Sequence, residues 1–192
     1  GEMGFYSRQK LQQIGLDTLD LFLASCSCPL ESLTGLAVDT GPGGFTSLRL
    51  GVAMMKTLAF SLNLPLRECS SLDLIAFHLE NPKNLIVCLD GKQSRLYTRI
   101  YDEQGQKSEI MDLTPQALKN LIHEKNWSHF QTLGNGFETY PELKNPQCSF
   151  PDFYQVPTAR NMARCWKEPL EQNRIQARYY RKTQAEEKKI TL

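Results

Sequence analysis

Ala37-Val38-Asp39-Thr40-Gly41-Pro42-Gly43-Gly44-Phe45-Thr46-Ser47-Leu48-Arg49-Leu50-Gly51 is a glycine-rich turn set between a short apolar strand and a long apolar helix. Gly41, Gly43 and Gly44 are expected to let the backbone take positive φ and approach a neighbour closely, and Pro42 to stiffen the bend. Thr46 or Ser47 is placed to cap the helix, whose first amides then face an anion or a partner's backbone. The spacing is not that of a Walker loop, since no Gly-Lys-Ser/Thr follows, nor that of a dinucleotide turn, whose third glycine would fall elsewhere. Local chemistry leaves two readings open: a turn that lets helix and strand pack closely, and a turn that presents a helix start to a ligand or partner.

Outward from this junction, Leu33 to Val38 reads as the strand and Phe45 to Leu62 as the helix. Leu48, Val52, Met55, Ala59 and Leu62 form one stripe along it, while Phe45, Met54 and Leu58 make other sides apolar too. Upstream, Leu11, Ile14, Thr18, Leu19, Phe22 and Leu23 recur at helical spacing and predict a helix from about Ser7 to Ala24. Downstream, Ser70 or Ser71 caps a third helix reaching Leu79. Asn81-Pro82-Lys83 breaks it and divides the chain into units at 1–81 and 82–192.

The second unit opens with a buried-type strand, Leu85 to Leu89, and an alternating partner, Arg95 to Tyr101. A turn at Asp102 to Gln106 leads to a third strand near Ser108 to Met111. Thr114-Pro115 starts a helix in cap-then-proline order, running to about Lys125. Gln131 to Leu133 is a short strand, followed by a poorly periodic stretch through Pro151. Thr158 to Leu170 is the last long helix. Alternating strands and helices point to α/β layering.

The 192 residues are 41% hydrophobic and 22% charged, with a net charge of +1, as in an ordinary globular protein. Such a charge gives no global attraction to nucleic acid or membrane. No apolar run approaches the roughly 20 residues that span a bilayer, and no basic-then-apolar leader is visible, so the cytoplasm is the expected location. Six cysteines (Cys26, Cys28, Cys69, Cys88, Cys148 and Cys165) show no disulfide framework, and Cys26 with Cys28 lacks the second pair of a zinc site. His78, His123 and His129 share no metal spacing. Asp39 and Asp90 each end a strand, where an aspartate forms a turn or, less simply, holds a metal-bound water.

Three segments in order carry a family resemblance. Gly41-Pro42-Gly43-Gly44-Phe45-Thr46-Ser47-Leu48-Arg49-Leu50-Gly51-Val52-Ala53 resembles the signature of the TsaB (YeaZ) family. Leu89-Asp90-Gly91-Lys92-Gln93-Ser94-Arg95-Leu96-Tyr97 is similar to that family's Asp-Ala-Arg segment and Val-Tyr strand. Arg178-Tyr179-Tyr180-Arg181 is similar to its closing Pro-x-Tyr-Leu-Arg. Gly44, Ser47 and Lys92 depart from the usual serine, glycine and arginine. Family members also open with a strand, an Asp-Thr-x turn and a hairpin, whereas Gly1 to Tyr6 leads almost directly into the first helix; the native start is expected at Met3.

The resemblance implies two tandem ribonuclease H-like units of the actin and Hsp70-like superfamily, the first incomplete at its N-terminus and so left with an open sheet edge. It implies a non-catalytic subunit that works with a TsaD-like protein and a TsaE-like ATPase in threonylcarbamoyl transfer to tRNA adenosine, and that forms a homodimer when alone. A contact through the first two helices is expected at Leu11, Ile14, Thr18, Phe45, Leu48, Val52, Met55 and Ala59, beside the turn residues Gly41, Pro42, Gly43, Gly44, Thr46 and Arg49. No catalytic residue, metal ligand or cofactor is expected on this chain alone; ATP and a divalent metal belong to the assembled complex. Contact with tRNA is expected to be weak or indirect, with the basic segment Arg174 to Lys189 either touching phosphates or standing solvated. Two other readings stay open: a nucleotide-hydrolysing or phosphoryl-transfer enzyme of the same superfamily, and a shortened, self-associating regulatory paralogue.

Overall fold

The computed structural model describes residues 2–3, 11–125, 129–147, 150–165, 176, 178 and 180. It contains six α-helices and six strands among these residues: α1 (Leu11–Ser25), β1 (Leu36–Asp39), α2 (Phe45–Leu62), β2 (Leu66–Cys69), α3 (Ser71–Ala76), β3 (Leu85–Asp90), β4 (Leu96–Tyr101), β5 (Met111–Leu113), α4 (Pro115–Lys125), β6 (Gln131–Leu133), α5 (Gly136–Thr139) and α6 (Ala159–Cys165).

Two sheets organise the chain. β1 and β2 run parallel, Leu36 opposite Leu66 through Asp39 opposite Cys69, with α2 as the crossover between them. The second sheet has the order β5-β4-β3-β6, antiparallel through β3, β4 and β5 and parallel where β6 joins β3 after α4. β3 is buried on both faces, so its run Leu85 to Cys88 is continuously apolar. Leu85 and Val87 point to one face and meet Leu72 and Ile75 of α3; Ile86 and Cys88 point to the other and meet Leu118 of α4 and Phe137 of α5. All six residues of α3 are buried, because this short helix is wedged against the second sheet.

The sequence-predicted α2 matches the observed helix end to end, and Asn63 closes it in the left-handed conformation at φ 52°. Its start differs from expectation. Gly44 is the N-cap and makes no side-chain cap, while Thr46 and Ser47 lie inside the first turn and are exposed. Ser70 does cap α3, accepting from the Asp73 amide at 3.1 Å, and Thr114 caps α4 by accepting from the Ala117 amide at 3.1 Å. α3 ends at Ala76, short of the expected Leu79.

The strand expected near Ser108 to Met111 is broken by a bulge. Tyr101 pairs with Lys107, yet Thr98 pairs with Met111, so one extra residue is accommodated between them and β5 proper begins at Met111. β1 begins three residues later than expected, at Leu36. α6 is observed over Ala159–Cys165; the remainder of the expected helix to Leu170 lies outside the described residues, as do the expected helix start at Ser7 and the basic tail beyond Tyr180.

Candidate functional site

The glycine turn faces the end of the second sheet across a cleft of about 480 Å³. Asp39, Pro42, Gly43 and Ser71 line it from one side, and Asp90, Tyr97 and Asn135 from the other. The strand-end aspartates are thus brought together in one cavity from sequence positions far apart. Of the turn glycines, Gly41 alone takes positive φ, at 107°, and a Cβ there would stand 2.8 Å from Leu48 Cδ1; Gly44 has φ −62°. The expected conformational freedom is therefore used at one glycine, and Gly43 and Gly44 serve as exposed, side-chain-free cleft wall.

Both carboxylates are held by their own turns. Asp39 Oδ1 accepts from the Gly41 amide at 2.8 Å, and the Ser71 hydroxyl lies 2.8 Å from each carboxylate oxygen. Burial nevertheless pushes the Asp39 carboxyl above the usual range, against these hydrogen bonds. Asp90 Oδ1 accepts from the Lys92 amide at 2.8 Å, its Oδ2 pairs with Lys92 Nζ at 2.6 Å, and its own amide donates to Asn135 Oδ1 at 3.0 Å. Burial opposes ionisation of Asp90, but the Lys92 contacts outweigh it and lower the carboxyl. The turn after Asp90 puts Lys92, Gln93 and Ser94 in succession at φ 61°, 54° and 57°, a costly conformation for residues with a Cβ.

Sequence reasoning missed one buried polar cluster behind the cleft. Asp73 of α3 accepts from Arg99 at 2.5 Å and from the Tyr101 hydroxyl at 2.6 Å, both on β4, and from Lys107 at 3.2 Å. Its signal was present: Arg99 and Tyr101 alternate on a mostly apolar strand, and Asp73 sits in a mostly apolar helix.

The expected contact stripe on α2 turns inward. Val52 and Ala59 are 5% and 6% exposed and belong to the interior, so they are unavailable to a partner. Phe45, Leu48 and Met55 are half-buried, and Leu48 packs toward Gly41 and Gly43. Thr18 is half-buried; the side chains of Leu11 and Ile14 lie outside the described residues. Arg49 does not reach the cleft but stacks over the Phe45 ring at 4.0 Å. The apolar side chains exposed on these two helices are instead Leu16 (59%), Leu21 (64%) and Phe60 (89%). Among the described residues no helix is long and apolar enough to cross a membrane.

A family model described as "TsaD: tRNA N6-adenosine threonylcarbamoyltransferase" matches residues 6–166. The chain is 35% identical over 80 residues to the tRNA threonylcarbamoyladenosine biosynthesis protein TsaB of Bacillus subtilis, covering 41% of this chain and 35% of that one. Against TsaB of Escherichia coli it is 24% identical over 143 residues, covering 71% of this chain and 62% of the relative. It is also 41% identical over 76 residues to the tRNA N6-adenosine threonylcarbamoyltransferase of Brachyspira hyodysenteriae, covering 40% of this chain and 21% of the relative. The chain thus spans between about a third and just over three fifths of the TsaB relatives it matches. In fold it resembles a Pseudomonas aeruginosa crystal structure described as an uncharacterized protein with similarity to peptidase YEAZ, with a TM-score of 0.65, 21% identity, and coverage of 88% of this chain and 83% of that one. The fold is accordingly α/β and ribonuclease H-like.

Proposed function

We propose a function from the premise that this chain belongs to the TsaD-type family, in its TsaB (YeaZ) branch. It acts as a scaffold or activator subunit, without catalysis of its own, in threonylcarbamoyl transfer to the adenosine next to the anticodon of tRNA. Its partners are a TsaD-like protein and a TsaE-like ATPase. Alone it pairs with a second copy, and it meets tRNA weakly or through its partners. ATP and a divalent metal enter with the partners.

The observation that carries this reading is the apolar surface on two neighbouring helices: Leu16 and Leu21 of α1 and Phe60 of α2 stand 59%, 64% and 89% exposed. Three large apolar side chains left this exposed on two helices that touch each other fit an interface better than a fold requirement. The cleft chemistry supports the same reading. Asp39 and Asp90, the candidates for holding a metal-bound water, have their oxygens taken up by Gly41, Ser71 and Lys92 within the chain.

The test is capture of a TsaD-like partner by the purified chain. Phe60→Asp, at a surface position, should leave the melting curve within about 0.5 kcal/mol of wild type and reduce capture and self-association together. Capture unchanged by both Phe60→Asp and Leu21→Asp would reject the interface. Val52→Asp is unsuited to this purpose, because it would place a carboxylate in the interior and test folding instead. Threonylcarbamoyl transfer assayed with the TsaD-like and TsaE-like proteins, with and without this chain, tests the activator role. Turnover of ATP by the isolated chain would favour the phosphoryl-transfer reading.

A further inference from the structure

β6 is an edge strand of the second sheet, paired to β3 on one side only. The Gln131 amide donates to the Asn84 carbonyl at 2.7 Å, which turns the peptide groups of Gln131 and Leu133 toward β3 and those of Phe130, Thr132 and Gly134 to the open side. Two of these outward groups are met by side chains. The Phe130 carbonyl accepts from Asn145 Nδ2 at 2.5 Å, and the Gly134 amide donates to Gln155 Oε1 at 2.7 Å. Asn145 and Gln155 are themselves buried. Between them lies Thr132, 2% exposed, whose amide and carbonyl meet no partner among the described residues and whose hydroxyl is also unpaired. A buried peptide group without a partner is receptive to any strand that can supply one.

We propose that Asn145 and Gln155 are edge guards: their side-chain amides stand where a neighbouring strand's peptide groups would, and so close β6 to pairing with a second copy of this chain. A side-chain amide carries the same donor and acceptor types as a peptide unit, which suits it to that place. The partner follows from what is guarded. Phe130 offers an acceptor two residues before Thr132, and Gly134 a donor two residues after it. In an antiparallel pair centred on Thr132, each copy's Gly134 amide would meet the other's Phe130 carbonyl, and the two Thr132 residues would exchange amide-to-carbonyl bonds. The edge is complementary to itself, and one two-fold pairing would satisfy all three positions. Proteins commonly protect such edges with charge or proline. Gln131-Thr132-Leu133 has neither, so the protection falls to the two amides. The guard lies wholly within the second half of the chain and is independent of the helical surface on α1 and α2.

The experiment is sedimentation velocity on the full chain, comparing wild type with the double variant Asn145→Leu with Gln155→Met, whose side chains keep the volume and lose the bonds. The expected result is species larger than any the wild-type chain forms, with self-association strengthened by about tenfold, the order of one net hydrogen bond. Adding Thr132→Pro should restore wild-type behaviour, because proline removes the central donor of the pair while the fold draws no bond from that amide. Leu118→Ala, a core cavity that leaves the edge guarded, controls for lost stability and should sediment as wild type does. The proposal is overturned if the double variant sediments as wild type does, if Leu118→Ala assembles as strongly, or if Thr132→Pro leaves the assembly in place. Should the double variant not fold, Gln155→Met alone carries the same comparisons, with faster hydrogen exchange of the Gly134 amide reporting the freed donor.

Discussion

Replacing Asp73 by Asn should destabilise this protein more than any surface change, and the structure gives the size. The Asp73 side chain is 12% exposed and its Arg99 partner 10%, so Asp73→Asn leaves a buried guanidinium facing an amide. Removing one partner of a buried pair costs ~3–5 kcal/mol. Lys107 is 55% exposed on its side chain and finds water instead, so its share is discounted. The asparagine oxygen still accepts from Tyr101 or Arg99, which places the expected loss near the lower end, about 3 kcal/mol. For a chain of this size that is roughly 6–12 °C in melting temperature.

Urea unfolding followed by circular dichroism measures the loss directly, and its pH dependence checks the cause. Burial works against ionisation of Asp73, but the Arg99 charge and hydrogen bond, with Lys107 and Tyr101, outweigh it and hold the carboxyl below its usual value. A carboxyl that titrates lower when folded stabilises the protein above the unfolded value of about 4. That contribution is lost as pH falls through the folded value. The gap between wild type and Asp73→Asn should therefore be full near neutrality and narrow below about pH 4. Asp73→Leu combined with Arg99→Met and Tyr101→Phe should recover much of the loss, since a well-packed apolar group can replace a buried ion pair once the Tyr101 hydroxyl that donates to Asp73 is removed with it. A change of less than about 1 kcal/mol in Asp73→Asn at pH 7, or a gap independent of pH, would refute the reasoning.

Two other outcomes follow from packing. Gly134→Ala should cost roughly 2–4 kcal/mol in the same urea assay, because φ there is +99° and a Cβ would stand 2.2 Å from the Cys88 carbonyl oxygen. The Cys88 thiol, fully buried and pushed up to about 12, should stay silent to a thiol reagent at pH 8 until the protein unfolds, while exposed Cys26 reacts at once. Titration of released chromophore in buffer and in urea distinguishes the two.

The strong signals in the sequence were those with unbroken periodicity or steric punctuation. α2 was legible to the residue because an apolar stripe begins after Gly44 and stops at Asn63. Which of its sides faces inward was not legible, since Phe60 and Leu58 make the helix apolar around much of its circumference. β2 was not legible, because Leu66, Arg67 and Glu68 are half-buried and Leu66-Arg67-Glu68-Cys69 lacks apolar alternation. α5 is a single turn, too short for any period to show. At the cleft, the turn chemistry of Asp39 and Asp90 was readable from position, but their meeting across a cavity, and the Asp73 cluster behind it, depend on pairings dozens of residues apart.

One late contact bears on how the molecule is made. α6 returns to the first half, where the Asn161 side-chain amide donates to the Leu74 carbonyl at 2.7 Å across 87 positions and Met162 packs on Cys69 and Leu74. A ribosome delivers the glycine turn well before α6, so the nascent polypeptide holds an unfinished first layer until α6 has been made. Until that contact forms, the apolar side chains it covers stay open, and this is the interval when the protein most needs protection from its neighbours.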